Sequence, residues 1–271
     1  RLWFAAIDSG QWRRFVATGP QQSGKTLQCF VIPLLYHLFE LEQTVVCGVP
    51  SLDIVADKWK EDILPSLERT RYRNYLPRSG PGSRGGNFVR ITFTNGRTLR
   101  FMTGGGGGPR GDKSRAAFTA PVVIITETDG MDEPGGRSRE ADKITQLEGR
   151  TRAYGRRARV YMECTLTTEE GRTWQEYTAG TMSEIALRCP QCQRYSVMGR
   201  PNLTGWQQAE DILMAVEQAQ FQCPECQALW DEADRAQANL DAVLVHRGQE
   251  VRDGGKVKGP LPRTNTLGFR W

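Results

Sequence analysis

Apolar positions along this chain alternate between strand and helix periods. Residues 12–19 (WRRFVATG) read as a short strand running into a turn. Residues 24–42 follow at helical spacing, with Leu27, Phe30, Val31, Leu34, Leu35 and Leu38 recurring on one face. Pro33 inside that stretch predicts a kink or an early end, because proline lacks a donor and crowds the preceding turn. Residues 44–49 are an apolar run of strand length, and residues 51–68 place Ile54, Val55, Trp59, Ile63 and Leu67 on one helical face. Residues 88–93 and 98–102, split by Asn95-Gly96, predict a hairpin. Residues 121–126 (PVVIIT) form the kind of continuous apolar strand that is buried on both faces of a parallel sheet. A helix is expected over 142–152, a strand over 159–165 (RVYMECT), and helical stretches over 207–220 and 231–247.

Strands alternating with helices predict an α/β fold with a mostly parallel sheet flanked by helices. From about residue 181 the pattern changes to shorter elements between paired cysteines. The expected division is a main α/β domain over 1–180, a small cysteine-bearing subdomain over 181–250, and a linker into a further domain over 251–271. The apolar ending at 267–271 reads as the first strand of a further domain. Residues 79–86 and 104–111 are Gly-rich and read either as surface loops or as loops that order around nucleotide or DNA.

Composition changes this picture little. With 38% hydrophobic and 25% charged residues the chain is an ordinary globular one, and no apolar run approaches the length that spans a bilayer. Net charge is +5, and only seven of the 36 basic residues are lysines. Arginine's planar fork suits phosphate contacts, which fits a polyanionic partner, but an arginine-rich codon bias accounts for the same numbers.

The chemistry starts at residues 19–26 (GPQQSGKT), which match G-x-x-x-x-G-K-[ST], the Walker A phosphate-binding loop. Gly19, Gln22, Ser23 and Gly24 would turn backbone N–H groups toward a phosphate. Lys25 would reach the β- and γ-phosphates, and the Thr26 hydroxyl would coordinate Mg²⁺. The flanking strand and helix supply the context this motif requires, so ATP with Mg²⁺ is the expected cofactor. A second, acidic strand is needed to orient the attacking water. Residues 122–129 (VVIITETD) provide it, with Glu127 as the catalytic carboxylate. Position 126, where such strands usually carry Asp, is Thr, and Asp129 is the available compensation.

Cys189-Pro-Gln-Cys192 and Cys223-Pro-Glu-Cys226 form two knuckles thirty residues apart. Two C-x-x-C turns supply the corners of a tetrahedral, structural Zn²⁺ site, so a zinc-ribbon-like subdomain is expected. Cys29, Cys47 and Cys164 sit in apolar contexts and read as buried hydrophobes.

The ordered set of SGKT loop, VVIITETDGMD, Thr165-Leu-Thr167-Thr168 and two CPxC pairs resembles the large terminase subunits of tailed phages, in particular the lambda-like GpA family. The likeness runs from about residue 12 to the end. It implies an ATPase motor packaging double-stranded DNA into a procapsid in the cytoplasm of an infected host. It also implies a small terminase subunit and a capsid portal as partners, a homo-oligomeric ring, and a C-terminal nuclease domain beyond residue 271. By that resemblance Thr165 and Thr167 form the coupling motif that senses the γ-phosphate, and Asp129 is the second acid of the run. Arg110, Arg115, Arg150 and Arg152 are candidates for an arginine finger, with Arg150 the leading one; the arginines over 150–159 read equally as a solvated or DNA-facing strip. Two alternatives stay open: another P-loop translocase or helicase-like ATPase, and a nucleotide-binding zinc-stapled scaffold without hydrolysis.

Overall fold

The structure is a computed structural model of the 271-residue chain, and it describes residues 1–83, 89–103, 118–131, 142–166 and 168–271. Its strands, numbered in chain order, begin with β1 (Arg14–Thr18), β2 (Val45–Val49), β3 (Arg90–Thr92), β4 (Thr98–Thr103), β5 (Val122–Thr126) and β6 (Arg159–Cys164). Short strands follow: β7 (Glu184–Arg188), β8 (Tyr195–Val197), β9 (Leu203–Thr204), β10 (Gln220–Gln222), β11 (Leu229–Trp230), β12 (Val243–Val245), β13 (Glu250–Arg252) and β14 (Lys256–Lys258). The last is β15 (Thr266–Arg270).

Among the described residues, seven strands make the main sheet in the order β15-β1-β6-β5-β2-β4-β3. All neighbours are parallel except β3, which returns antiparallel to β4 as the expected hairpin. In the turn, Gly96 takes φ 78, and the Asn95 side chain accepts from Arg97 N and donates to Leu38 O. The central strands are apolar on both sides because helices cover both faces. Phe15, Ala17, Cys47, Val122, Ile124 and Tyr161 face the helices that follow β1 and β2, while Val16, Val46, Val123, Ile125 and Met162 face the other layer.

The helix after β2 starts where the sequence places it. Ser51 caps it by accepting from Ile54 N, and Val55, Trp59, Ile63 and Leu67 are buried at four-residue intervals. The helix after β1 does not end at Pro33. It runs as Thr26–Val31, Ile32–Leu35 and Tyr36–Glu40, with π-type turns on both sides of the proline. Ile32 N bonds back to Leu27 O, five residues earlier, so a wider π-type turn sits immediately before Pro33, whose missing N–H cannot continue the ordinary ladder.

Two expectations are corrected in the last third of the chain. The helix over 231–247 is Glu232–Leu240 only, and residues 243–245 form β12 against β7; the helix over 207–220 is confined to Ile212–Gln218. Residues 251–271 do not form a linker leading away. They hold the β13–β14 hairpin and then β15, which pairs in register with β1 from Arg14↔Thr266 to Thr18↔Arg270. Alternating apolar side chains made β15 look like the start of a new sheet, but an unpaired parallel edge on β1 is where it finds its backbone partners. The cysteine-bearing segment is therefore inserted between β6 and β15. No helix among the described residues is long and apolar enough to cross a membrane.

Candidate functional site

β1, β5 and β6 end together at the C-terminal edge of the sheet, with β6 in the middle. Ala17 of β1 and Thr126 of β5 both pair with Glu163 of β6. At ordinary strand spacing this sets the start of the phosphate loop roughly 10 Å from the end of the acidic strand. Ligands bind at such an edge in open α/β sheets.

The loop leaves β1 at Gly19 and turns through Gln22 at φ 57 and Gly24 at φ 79 into the helix beginning near Lys25. Ser23 Oγ donates to Pro20 O at 2.7 Å. Lys25 is buried, and its ammonium donates to Gly19 O at 3.1 Å and Pro20 O at 2.5 Å, which holds it across the loop mouth. Thr26 is half-buried at the first position of the helical run. A side chain at Gly19 would meet Trp271, whose carbonyl stands 3.1 Å and ring 3.2 Å from an ideal Cβ. The strand that closes the sheet thus also backs the phosphate loop.

Glu127 follows β5 directly, in a left-handed backbone conformation at φ 54. A side chain with a Cβ pays for that conformation, and such positions cluster where geometry is being held for chemistry. Cys164 Sγ at the end of β6 lies 3.8 Å from Glu127 Oε2, and burial pushes this thiol up to about 12. Thr165, half-buried, comes next on the same edge, and Thr167 lies outside the described residues.

Asp129 is placed differently from the sequence expectation. It does not turn toward the loop: its Oδ1 accepts from Thr173 N at 2.7 Å and from Thr173 Oγ1 at 2.6 Å. Thr126 is engaged from the neighbouring strand. Thr126 Oγ1 donates to Glu163 Oε1, and both residues are buried. Burial pushes the Glu163 carboxyl above the usual range and the charge of Glu127 adds to this, while the Thr126 hydrogen bond, Lys58 and Lys25 pull the other way. No motif in the sequence singles out Glu163, which reads there as one residue of the strand over 159–165. The available signal was its parity: it shares a face with Tyr161, the face toward the helix after the phosphate loop, and is the one acid among apolar neighbours.

Arg150 lies at the other end of the sheet. Its carbonyl accepts from Ala120 N just before β5, and its Nε donates to Gln146 O. Arg152 lines a cleft of about 310 Å³ there with Arg13, Arg14, Glu148 and Asn265. Arg14 is committed to Glu148 at 2.6 Å and Glu176 at 2.8 Å. Five strand residues separate this edge from Glu127, so within its own subunit Arg150 does not reach the phosphate loop. Arg110 and Arg115 lie outside the described residues.

The four paired cysteines come together outside the main sheet. The first pair turns the hairpin between β7 and β8, the second the hairpin between β10 and β11. The two turns are alike bond for bond. Cys189 N donates to Arg194 O and Gln193 N to Cys189 O; Cys223 N donates to Ala228 O and Gln227 N to Cys223 O. Gln193 and Gln227 take φ 64 and 63. All four sulfurs lie within 4.8 Å of one another, and the pairs Cys189–Cys226 and Cys192–Cys223 stand 3.8 Å apart. Four thiolates about 2.3 Å from a common tetrahedral centre would stand roughly 3.8 Å apart, so the donor set fits a four-coordinate metal.

The model of the phage terminase large subunit gpA ATPase domain family matches residues 4–245. Among curated proteins none matches. Among solved structures, a mutant of the ATPase domain of the large terminase of Thermus phage P74-26 is similar at 14% identity, covering 66% of this chain and 70% of that one, with a TM-score of 0.43.

Proposed function

The chain belongs to the family of phage terminase large subunit gpA ATPase domains, and from that premise we propose that it hydrolyses ATP to drive double-stranded DNA into a procapsid. The observation that carries this reading is the common edge at which the phosphate loop, Glu127 and Thr165 end three adjacent strands. Gly19, Gln22, Ser23 and Gly24 wrap the β-phosphate with backbone N–H groups, and Lys25 exchanges its loop carbonyls for phosphate oxygens. Thr26 is the side chain that holds Mg²⁺, which when bound neutralises charge on the β- and γ-oxygens. Glu127 orients the attacking water and accepts its proton. Thr165 and Thr167 carry the change at the γ-phosphate along β6 and onward. Cys189, Cys192, Cys223 and Cys226 hold one structural Zn²⁺.

Motors of this kind work in the host cytoplasm as rings, with a small terminase subunit and a portal as partners, and that is the assembly this reading places the chain in. A neighbouring subunit then supplies the arginine finger, while the arginines at 150–159 form a strip facing solvent or DNA.

Steady-state ATP turnover with duplex DNA tests the reading. Glu127→Gln should lower turnover by about a hundredfold or more and leave nucleotide binding in place. Equal, near-zero turnover in a folded, assembled wild type and in Glu127→Gln would point instead to a nucleotide-binding scaffold, which the threonine at 126 would then explain.

A further inference from the structure

An acidic strand that ends in Thr-Glu lacks one carboxylate at the position nearest the magnesium of a P-loop enzyme. β6 lies between β1 and β5, so any side chain near its end on the correct face stands between the phosphate loop and the acidic strand. Glu163 is that side chain. It is directly paired with Thr126 on one side and Ala17 on the other. It is 2% exposed, and it shares a sheet face with Tyr161, packed toward the helix that starts at Lys25. Among the described residues its carboxylate receives one side-chain hydrogen bond, from the Thr126 hydroxyl, and takes part in no salt bridge. Thr128 Oγ1 donates to the Glu163 carbonyl at 3.2 Å, which ties the turn carrying Glu127 to the same residue.

Burying a carboxylate with no direct ion pair is costly even with Lys25 and Lys58 acting on it from further off, and substitution by an apolar residue at a sheet interior would ordinarily be favoured. A hydroxyl on one strand and a carboxylate on the next, locked together at the phosphate-loop edge, amount to an acid relocated by one strand. We infer that Glu163, acting through Thr126, is the positioning carboxylate for the magnesium hydration shell, replacing an acid at position 126. The inference rests on the proposed nucleotide site and adds to it a residue outside the phosphate loop and the Glu127 turn. Thr126 presents the hydroxyl oxygen to a magnesium-bound water, and Glu163 fixes the direction in which that hydroxyl's proton points.

The test is binding rather than turnover. The affinity of the 271-residue chain for the β,γ-imido analogue of ATP is measured by calorimetry with Mg²⁺ and with EDTA, for wild type, Glu163→Gln, Thr126→Val and the double variant Thr126→Asp/Glu163→Gln. Wild type should bind more tightly with Mg²⁺. Glu163→Gln should lose that magnesium-dependent gain by about 10–100-fold while its EDTA affinity stays as in wild type, as expected for a group behind a metal ligand. Thr126→Val should reproduce the loss, and the double variant, which returns a carboxylate to β5, should recover it. A merely structural role for Glu163 would lower both affinities together and would not respond to the relocated acid. Unchanged magnesium dependence in folded Glu163→Gln or Thr126→Val, or a wild type indifferent to Mg²⁺, overturns the assignment of Glu163 and leaves the phosphate loop as read. A wild type that binds no nucleotide overturns the phosphate-loop reading itself, and this one with it.

Discussion

Asp129 Oδ1 accepts two hydrogen bonds from Thr173, one from the backbone N at 2.7 Å and one from the hydroxyl at 2.6 Å. The contact fastens the turn after Glu127 to the first turn of the helix Arg172–Ala179. It works as a helix cap supplied from a distant segment, because the first N–H groups of a helix have no partner within it. Gly171 makes room for it, since a Cβ there would stand 2.7 Å from Asp129 Oδ2. Asp129→Ala should therefore lower stability by about 1–2 kcal/mol. Asp129→Asn, which keeps an acceptor oxygen, should stay close to wild type. Urea denaturation of the three proteins decides: equal losses in Ala and Asn variants would mean that the charge matters, as for a metal ligand, rather than the acceptor.

His37 gives the fold a pH dependence with a defined sign. It is buried, with Nδ1 at 2.8 Å from Gln43 Oε1 and Nε2 at 2.9 Å from Tyr161 OH. Burial lowers it to about 4, with Gln43 opposing and Arg159 adding to the shift. The unfolded chain takes up the proton near pH 6.5, so between about 6.5 and 4 it binds more protons than the native state. Stability from this residue is fully present above pH 6.5 and is lost as pH falls through that window, by about 3 kcal/mol in all. Denaturation midpoints at several values from pH 7.5 to 4 should fall more steeply for wild type than for His37→Gln. Parallel slopes would show that His37 titrates alike in both states.

The insertion point of the cysteine module makes a metal matter to the whole sheet. β15 is reached only after the two knuckles, and residues 181–183 lie along its outer side, where Thr181 N donates to Thr266 O and Ser183 N to Gly268 O. Natively purified protein should contain about one zinc per chain. Chelation or Cys192→Ser should lower Tm by roughly 10 °C, because metal binding energy in such sites is folding energy. It should also weaken nucleotide binding, since Trp271 at the end of β15 backs Gly19. Metal-free native protein, or a Tm indifferent to chelation, would refute the zinc reading.

Much of this was legible in the chain. The phosphate loop shows in sequence because its chemistry demands fixed residue types at fixed spacing within eight residues, and the knuckles show for the same reason. The apolar runs at β1, β2, β5 and β6 likewise announce a two-sided parallel sheet. What local pattern does not carry is which strand lies beside which. Strand order is a matter of contacts between residues more than a hundred positions apart, as between Arg14 and Thr266, or of thirty or more, as between Thr126 and Glu163. The sequence alone therefore determined the loop, the catalytic candidate Glu127 and the four thiols. Only the tertiary structure decided that β15 closes the ATPase sheet, that Asp129 serves a helix terminus, that Arg150 sits at the far edge, and that Glu163 meets Thr126. Hydrogen bonds and burial between strands choose partners by space, and space is what one-dimensional spacing leaves out.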